Sequence, residues 1–427
     1  MKRLGVGICG LGTVGSGTFN LLRDHAAEIS RKTGIAFEIA QVGCRRDHPD
    51  CDLAGIDVTR DIFDVPSNPA VDVVVELIGG TDVAFDLLAR AIENGKHVVT
   101  ANKALIAERG DELFGLAEEA GVSIRYEAAI AGGIPVVKAI REGLAGNRVD
   151  FVAGIINGTS NFILTEMEQA GNRGFAEVLE EAQTLGYAEA DPTFDIEGVD
   201  AAHKLTILAS IAFGAPLRFE AMYTEGVGGV TPADIRYAGE LGYCIKHLGV
   251  TRRRGDGIEL RVHPTLIDRE SMLGQVKGVM NAVLVGSEPV GRTMYYGAGA
   301  GAGPTASAVV ADIIDVARAP MGVANLGYTI EGLEALPVLS IEETVCCFYM
   351  KLRVLDKPGV MARISTILSQ HEISIESLIQ KDAREGHAPI VIVTDEVKES
   401  EFDAAVRELQ SLPEVEGQVT RIRVESF

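Results

Sequence analysis

A glycine-rich turn near the N-terminus constrains the fold of this chain more than any other feature. It reads Gly10-Leu11-Gly12-Thr13-Val14-Gly15. An apolar run, residues 4–9, precedes it, and an amphipathic segment, residues 14–23, follows it. In this context the pattern G-x-G-x-x-G predicts a strand, a tight turn and a helix whose N-terminus binds the pyrophosphate of a dinucleotide.

Alternating apolar runs and helical patterns extend this prediction to about residue 130. We predict further strands at residues 37–44, 71–78 and 97–100, and a helix at residues 81–94. The run at 71–78, VDVVVELI, is almost continuously apolar, as in a strand buried on both faces. The pattern predicts an α/β protein whose residues 1–130 form a Rossmann-like, doubly wound parallel sheet that binds NAD(P).

The end of the second strand bears on the choice of cofactor. The first charged residue after it is Arg45, followed by Arg46 and Asp47. A guanidinium pairs well with a 2′-phosphate, so we predict that NADP(H) is preferred and, because Asp47 is close, that NAD(H) is also accepted. The alternative is that Arg45 and Arg46 are solvated loop residues.

Two further regions follow the first domain. Strands near 149–156, 221–230, 258–267 and 276–286 predict a second α+β domain, residues 131–340, for catalysis and dimerisation. Within it, the glycine run 297–303 precedes Pro304, which we expect to begin a helix at about 304–330 that packs back on the first domain. Residues 345–427 have the order βαββαβ, the size of an independent domain.

Lysines and carboxylates predict the chemistry. Asp200 and Lys204 stand at i and i+4 on one helix face, before the apolar segment LTILASIAF. Lys103 follows Thr100 at the end of a strand, where ligands bind in open α/β sheets. An ammonium there can stabilise and protonate the oxygen of a carbonyl that receives a hydride, with Asp200 orienting it. The alternatives are a surface salt bridge for Asp200–Lys204 and a surface or capping role for Lys103.

The composition excludes several classes of function. The formal net charge is −22 and the longest basic run is residues 252–254, which we predict to be a solvated turn, so nucleic acid is not an expected partner. The longest apolar stretch, residues 205–217, is too short to cross a bilayer. The start of the chain lacks the pattern of a signal peptide, and we expect a cytoplasmic protein whose six cysteines are buried and reduced.

Several segments together resemble the homoserine dehydrogenase family. They are the GLGTVG loop, TANK (100–103), YEAAIAGGIPV (126–136), INGTSNFIL (156–164), LGYAEADPTFDIEGVDAAHKL (185–205) and GPTASAV (303–309). The resemblance implies interconversion of L-homoserine and L-aspartate 4-semialdehyde, a step toward threonine, methionine and isoleucine. It also implies that Lys204 donates the proton, with Lys103 as a second catalytic or cofactor-contacting lysine.

The resemblance assigns further residues. Glu189 would bind the substrate, supported by Asp195 and Asp200. Thr100 and Gly303 match cofactor-contacting positions, although a hinge is the alternative for the glycine run. A sodium ion would be bound, mostly through backbone carbonyls, by Glu127, Ile130, Gly132 and Ile134.

Residues 345–427 resemble an ACT domain, with a turn at Pro358-Gly359 that enters a helix. The resemblance implies feedback control by an amino acid, with threonine as the expected effector, and a homodimer or homotetramer. The alternative for this domain is a dimerisation module without a ligand.

Two other functions remain open at this point. One is a sugar or inositol dehydrogenase, which typically carries Glu-Lys-Pro where this chain has Ala101-Asn102-Lys103. The other is a catalytically inactive amino-acid sensor on a nucleotide-binding fold. The presence of Lys103, Glu189, Asp200 and Lys204 argues against the second.

Overall fold

A computed structural model describes residues 2–318, 324–383 and 385–427. The first unit is a six-stranded, wholly parallel sheet in the order β3-β2-β1-β4-β5-β6. Its strands are β1 Lys2–Cys9, β2 Ile35–Gly43, β3 Val58–Thr59, β4 Val73–Glu76, β5 His97–Thr100 and β6 Ile124–Arg125. Its helices are α1 Thr13–Asp24, α2 Ala26–Thr33, α3 Asp64–Ser67, α4 Asp82–Glu93 and α5 Lys103–Ala120. This strand order confirms the predicted Rossmann-like fold.

The second unit contributes helices and long antiparallel strands. Its helices are α6 Val136–Lys138, α7 Gly158–Ala170, α8 Phe175–Thr184, α9 Thr193–Ile196, α10 Val199–Phe213, α11 Pro232–Glu240 and α12 Ala302–Arg318. Its strands are β7 Arg148–Ile155, β8 Tyr223–Thr224, β9 Tyr243–Arg254, β10 Gly257–Asp268, β11 Met280–Glu288 and β12 Gly291–Ala298. The predicted strand at 221–230 was too long, since only two of its residues pair with β10.

Strand β9 is the longest strand that the sequence analysis missed; strand β12 and helices α5 and α11 were also not predicted. Lys246 and His247 lie on opposite faces of β9 and are both buried, so the sequence lacks the apolar alternation of an ordinary strand. The prediction of a solvated turn at 252–254 was also wrong. These arginines end β9, Arg252 is ion-paired with Glu425 at 3.2 Å, and the turn follows at residues 255–256.

Helix α12 returns to the first unit, as predicted, and packs against α1. The contact is close, because a Cβ at Gly17 would be 2.8 Å from the Ala302 carbonyl oxygen. The predicted bounds were wrong at both ends. The helix begins two residues before Pro304 and is described as far as Arg318; residues 319–323 lie outside the described residues, and residues 324–329 are not helical. Proline is accepted in a first turn because the N–H groups there have no helical partner.

The third unit has the predicted βαββαβ order with one additional short strand. Its elements are β13 Val345–Leu355, α13 Val360–Gln370, β14 Ile375–Gln380, β15 His387–Thr394, β16 Val397–Lys398, α14 Glu399–Gln410 and β17 Val415–Val424. The two helices cover one sheet face, where Phe348 stacks on Phe402 with ring centroids 4.0 Å apart.

The third unit is not separate from the second. Strand β17 pairs in parallel with β10, through Thr265 with Arg423 and Leu266 with Val424. The two sheets thus merge into one of eleven strands. Nine follow the path β12-β11-β7-β9-β10-β17-β13-β15-β14, and β8 and β16 pair off this path with β10 and β13, respectively. One apolar cluster, which includes Ile235 and Tyr349, spans both units. Residues 345–427 therefore have an apolar core of their own and also share a sheet and a second apolar cluster with the second unit.

Two smaller predictions concern cysteines and membranes. All six cysteines are free, five are buried, and Cys347 is half-buried. In the described ranges, no helix is both long and apolar enough to cross a bilayer.

Candidate active site

A cleft of about 660 Å³ opens where the first sheet ends and the second unit begins. The first unit contributes Val14 and Lys103, the second contributes Asp200 and Lys204, and the loop 298–301 closes one side. Glu189 and Asp195 also line it, so the fold brings both predicted lysines and the three predicted carboxylates to one cavity.

Asp200 is the centre of the charged cluster in this cleft. Its carboxylate oxygens lie 2.6 Å from Lys204 Nζ and 3.2 Å from Lys103 Nζ. Asn157 Nδ2 donates to the same carboxylate at 2.9 Å. The Lys204 ammonium also donates to the Ile156 carbonyl at 2.8 Å. Two ammonium groups thus share one buried carboxylate, which leaves the cluster with a net positive charge.

The start of helix α10 positions the Asp200 carboxylate. Helix α10 begins after Gly198, whose φ of 85° is left-handed, and Asp200 lies in the first turn, where the helix dipole favours a negative charge. Burial by itself raises the pKa of Asp200. The nearby charges of Lys204 and Lys103 have the larger combined effect and lower this pKa to about 2. The residue is therefore ionised at neutral pH. The alternative of a surface salt bridge is excluded, since Asp200 and Lys204 are both buried.

Asn157 is a site residue to which the sequence analysis gave no role. Its amide nitrogen bridges Asp195 at 2.8 Å and Asp200 at 2.9 Å, and its oxygen caps α7 by accepting from the Ser160 N–H. Thr159 donates to Asp195 as well, at 3.1 Å. An asparagine between a strand and a helix is the N-cap pattern that could have indicated it.

Glu189 lies apart from the lysine cluster. It is exposed at the rim of the cleft, on the loop between α8 and α9, next to Tyr187. A carboxylate in this position can meet the ammonium of a ligand that reaches inward toward Lys204.

The glycine-rich turn has the geometry of a phosphate cradle. Gly10 has a φ of 99°, and a Cβ at Gly15 would lie 2.0 Å from the Gly10 carbonyl oxygen. Gly12 precedes α1 and has open space where a side chain would stand. A second cleft of about 310 Å³ runs from Val14 past Gly79 to Lys103. These residues fit a dinucleotide whose nicotinamide end reaches Lys103.

The remaining predicted cofactor-binding residues are Thr100, Gly303 and Arg45, and they differ in their exposure. The Thr100 hydroxyl is buried and donates to Glu76 at 2.6 Å, so its side chain is committed within the sheet. Gly303 is exposed in the first turn of α12, with nothing near its Cβ position. Arg45 and Arg46 are exposed after β2, whereas Asp47 is held by Arg60 at 2.8 Å.

The loop that carries the predicted cation ligands is buried at Glu127, Ile130, Gly132 and Ile134. Ala131 and Gly132 have φ values of 51° and 50°, which turn the backbone sharply. Both Glu127 carboxylate oxygens accept backbone N–H groups, from Val137 at 2.8 Å and Lys138 at 2.9 Å. Burial raises the pKa of Glu127 to about 6.

Family comparisons agree with this site. Residues 135–314 match the family model described as homoserine dehydrogenase, residues 10–127 its NAD-binding domain, and residues 349–414 the ACT domain. The homoserine dehydrogenase of Pseudomonas aeruginosa is 57% identical over 434 residues, with 100% of both chains covered. The chain belongs to the homoserine dehydrogenase family. It is thus an NAD(P)-dependent oxidoreductase that acts on a CH–OH group.

Solved structures give the same result. A homoserine dehydrogenase from Thiobacillus denitrificans has a TM-score of 0.94 and 50% identity, covering 100% of this chain and 99% of its own. A hyperthermophilic archaeal homoserine dehydrogenase in complex with NADPH has a TM-score of 0.63 and 26% identity. That likeness covers 74% of this chain and 98% of the archaeal one. The alternatives of a sugar dehydrogenase and an inactive sensor are therefore set aside.

Proposed function

We propose that the cleft interconverts L-homoserine and L-aspartate 4-semialdehyde, with Lys204 as the acid and base. The observation that carries this is the shared contact of Lys204 and Lys103 with the single buried carboxylate of Asp200. When bound, the nicotinamide supplies or accepts the hydride. Lys204 then donates a proton to the forming alkoxide, and in the reverse direction it removes the hydroxyl proton.

Lys103 and the carboxylates complete the proposed site. Lys103 places a second positive charge near the reacting oxygen and contacts the cofactor end of the cleft. Asp200 holds both ammonium groups in position. Glu189 binds the substrate ammonium at the rim, and Asp195, anchored through Asn157, supports the same end of the substrate.

Replacement of Lys204 tests this proposal. We expect Lys204→Ala to lower kcat by about 10²- to 10⁴-fold in either direction. Lys204→Arg keeps the charge but cannot lose its proton near neutral pH, so we expect a similar loss. Lys277→Ala, which removes a partly exposed lysine ion-paired with Glu168, is the control and should retain activity. Nearly full kcat in Lys204→Arg would show that proton transfer occurs elsewhere.

We also propose that NADP(H) is preferred, with NAD(H) accepted. Support comes from two exposed arginines, Arg45 and Arg46, at the end of β2, and from Asp47 being engaged by Arg60 rather than free for a ribose hydroxyl. The archaeal homoserine dehydrogenase is in complex with NADPH, which agrees with this preference. We expect Arg45→Ala to raise KM for NADPH about tenfold or more and to leave KM for NADH unchanged. Strict preference of the wild type for NADH would contradict the proposal.

A monovalent cation, most simply sodium, is proposed at the loop of Glu127, Ile130, Gly132 and Ile134. The loop fits a cation bound through neutral oxygens, because the Glu127 carboxylate is already occupied by N–H donors. In the described ranges, no cluster of three or more His, Cys, Asp or Glu residues is arranged to hold a metal. We expect replacement of sodium by choline to lower activity at constant ionic strength; equal activity in both salts would refute this site.

Regulation and assembly are the remaining proposals. We propose that the ACT domain binds an amino-acid effector, threonine first among candidates, and that the protein is an even-numbered homo-oligomer. Strands β12 and β14 end the long sheet and expose Tyr296 and Leu378, respectively, which suits pairing between copies. Titration of the activity with threonine tests the regulation, and an unchanged rate up to millimolar threonine would contradict it.

Light scattering measures the mass of the protein in solution and tests the assembly. A monomer would contradict the proposed homo-oligomer.

A further inference from the structure

A short linking segment, residues 223–231, lies between the ACT unit and the catalytic cleft. It consists of β8 and the loop that leads to α11, and the proposed mechanism gives it no role. Its two ends contact side chains of the ACT unit. Its middle contacts the loop that joins Asp195 to Asp200, two of the carboxylates of the cleft.

The first end of the linking segment is held by Arg423, a buried arginine of β17. Its guanidinium donates to the Glu225 carboxylate at 2.9 Å and to the Tyr223 hydroxyl at 3.1 Å. The Tyr223 hydroxyl in turn donates to Glu225 at 3.0 Å. Glu399 binds the same guanidinium from within the ACT unit, at 2.9 Å. The position of Glu225 therefore depends on a side chain of the ACT unit.

The other end is held by a second ACT strand, β13. Asp234, in the first turn of α11, contacts Lys351 at 2.7 Å and accepts from the Tyr349 hydroxyl at 3.1 Å. Thr231, which precedes this helix, donates its N–H to Asp234 and accepts from Lys351 at 3.2 Å. Strands β13 and β17 are neighbours in the sheet, so both ends of the segment are fixed to one part of the ACT unit.

The middle of the segment contacts the residue that follows Asp195. The Val227 N–H donates to the Ile196 carbonyl at 2.9 Å, and Val227 is fully buried. A Cβ at Gly226 would lie 2.9 Å from the same carbonyl oxygen, so the two backbones pack directly on each other. A displacement of the segment would therefore move Ile196 and, with it, Asp195.

A buried histidine joins the segment to the start of α10. His247 Nε2 donates to the Glu225 carbonyl at 2.9 Å, and burial lowers the pKa of this ring, so it is neutral. A Cβ at Gly198 would lie 3.0 Å from His247 Cε1 and from Thr224 Cγ2. Gly198 is two positions before Asp200. The segment and this histidine thus enclose the loop on the side away from the lysines.

We propose that Arg423 and Glu225 are positioning residues for substrate binding, which hold the loop between Asp195 and Asp200 through the linking segment. The contacts are continuous from the ACT unit to this loop, and small displacements of binding groups are costly. The ACT unit thereby contributes to the geometry of the cleft whether or not an effector is bound. The inference rests on the proposed roles of Asp195 and Asp200 in homoserine chemistry.

Kinetics of Glu225→Ala test the proposal. In this variant Glu399 still pairs with Arg423, so the buried guanidinium keeps a counter-ion. We expect KM for L-homoserine to rise about tenfold because Asp195 is displaced, and KM for NADP⁺ to stay unchanged because the glycine-rich turn lies in the first unit. Glu225→Gln keeps an acceptor oxygen for Arg423 and should restore most of the affinity. A lower kcat with both KM values unchanged is the effect of a smaller folded fraction and would overturn the proposal.

Lysine variants show whether the ACT unit acts through Glu225. Arg423→Lys keeps a cation for Glu399 but loses the fork that also reaches Glu225, so we expect a similar rise in KM for L-homoserine. The double variant with Glu225→Ala should show no larger rise than either single variant, and additive losses would overturn the proposal. Arg421→Lys is the matched control, with wild-type KM expected. Arg421 also binds Glu399, at 3.2 Å, but its second partner is Asp403.

Amide hydrogen exchange measures the same contact without catalysis. The Val227 N–H donates across the contact, and the Gly198 N–H donates within the loop before α10. We expect both to exchange about tenfold faster in Glu225→Ala, with the Gly34 N–H of the first unit unchanged as the reference. Equal exchange rates in the variant and the wild type would overturn the proposal. Wild-type protein that does not oxidise homoserine would instead refute the proposed function, on which this inference rests.

Discussion

At the scale of single residues, Asp200 organises the site, because one carboxylate contacts two lysines and one asparagine. Removing one of these lysines deletes one charge, whereas removing Asp200 leaves two ammonium groups without this counter-ion. The position of both lysines therefore depends on a side chain that need not touch the reacting oxygen.

We predict that Asp200→Asn lowers kcat about 10²-fold or more, measured as initial rates in both directions. The pKa of Asp200 is lowered to about 2, so its stabilising contribution is complete above the unfolded value of about 4 and is lost only as pH falls toward 2. The variant should thus be less stable than wild type at neutral pH, with the difference shrinking below about pH 4. Asp191→Asn, on the exposed loop, is the control. If Asp200→Asn reacted at the wild-type rate, Asp200 would not be needed to position the two lysines.

At the scale of elements, helix α10 delivers Asp200 and Lys204 together, and its start depends on Gly198. That glycine has a φ of 85°, and a Cβ there would lie 3.0 Å from both His247 Cε1 and Thr224 Cγ2. The helix is buried along almost its whole length, so a shift of its first turn cannot be absorbed by solvent.

We predict that Gly198→Ala destabilises the protein by roughly 2–3 kcal/mol, combining left-handed strain with the close contacts, and lowers kcat. Gly34→Ala is the matched control. Gly34 has a φ of 74° but nothing near its Cβ position, so only the strain of about 1 kcal/mol should remain. Denaturant unfolding measures both values. Equal losses in the two variants would show that packing around Gly198 is unimportant.

At the scale of the whole molecule, the ACT unit is joined to the catalytic unit by a buried polar seam. Arg423 of β17 bonds Glu225 of the catalytic unit at 2.9 Å. Just beyond β17, Glu425 is ion-paired with Arg261 at 2.6 Å and Arg252 at 3.2 Å. We infer that the two units unfold together.

Glu425→Gln tests the seam. Burial raises the pKa of Glu425, but Arg261 and Arg252 lower it below its ordinary value, so its stabilisation is present above about pH 4.5 and lost as pH falls. We predict a loss of about 3 kcal/mol at pH 7 that shrinks toward pH 4. Glu416→Gln, in a half-exposed pair with Arg353, should change stability by less than about 0.5 kcal/mol. Two separate calorimetric transitions in the wild type would contradict joint unfolding.

The missed features share a cause. Strand β9 was not predicted because Lys246 and His247 face the interior, and their burial depends on partners from other elements. Asn157 has the pattern of a helix N-cap, but that pattern does not distinguish a site residue from an ordinary capping residue. The assigned roles of Glu189, Arg45 and the cation loop stay predictions.

The sequence by itself determined the fold of the first domain and the family to which the chain belongs. A glycine turn between a strand and a helix, and the period of the apolar residues, predict the first domain because they follow from backbone geometry. Only the tertiary structure decided that Lys103 and Lys204 share Asp200 and that β17 extends the catalytic sheet. These contacts join residues far apart in the chain, and their stability comes from burial and pairing, which no short segment encodes.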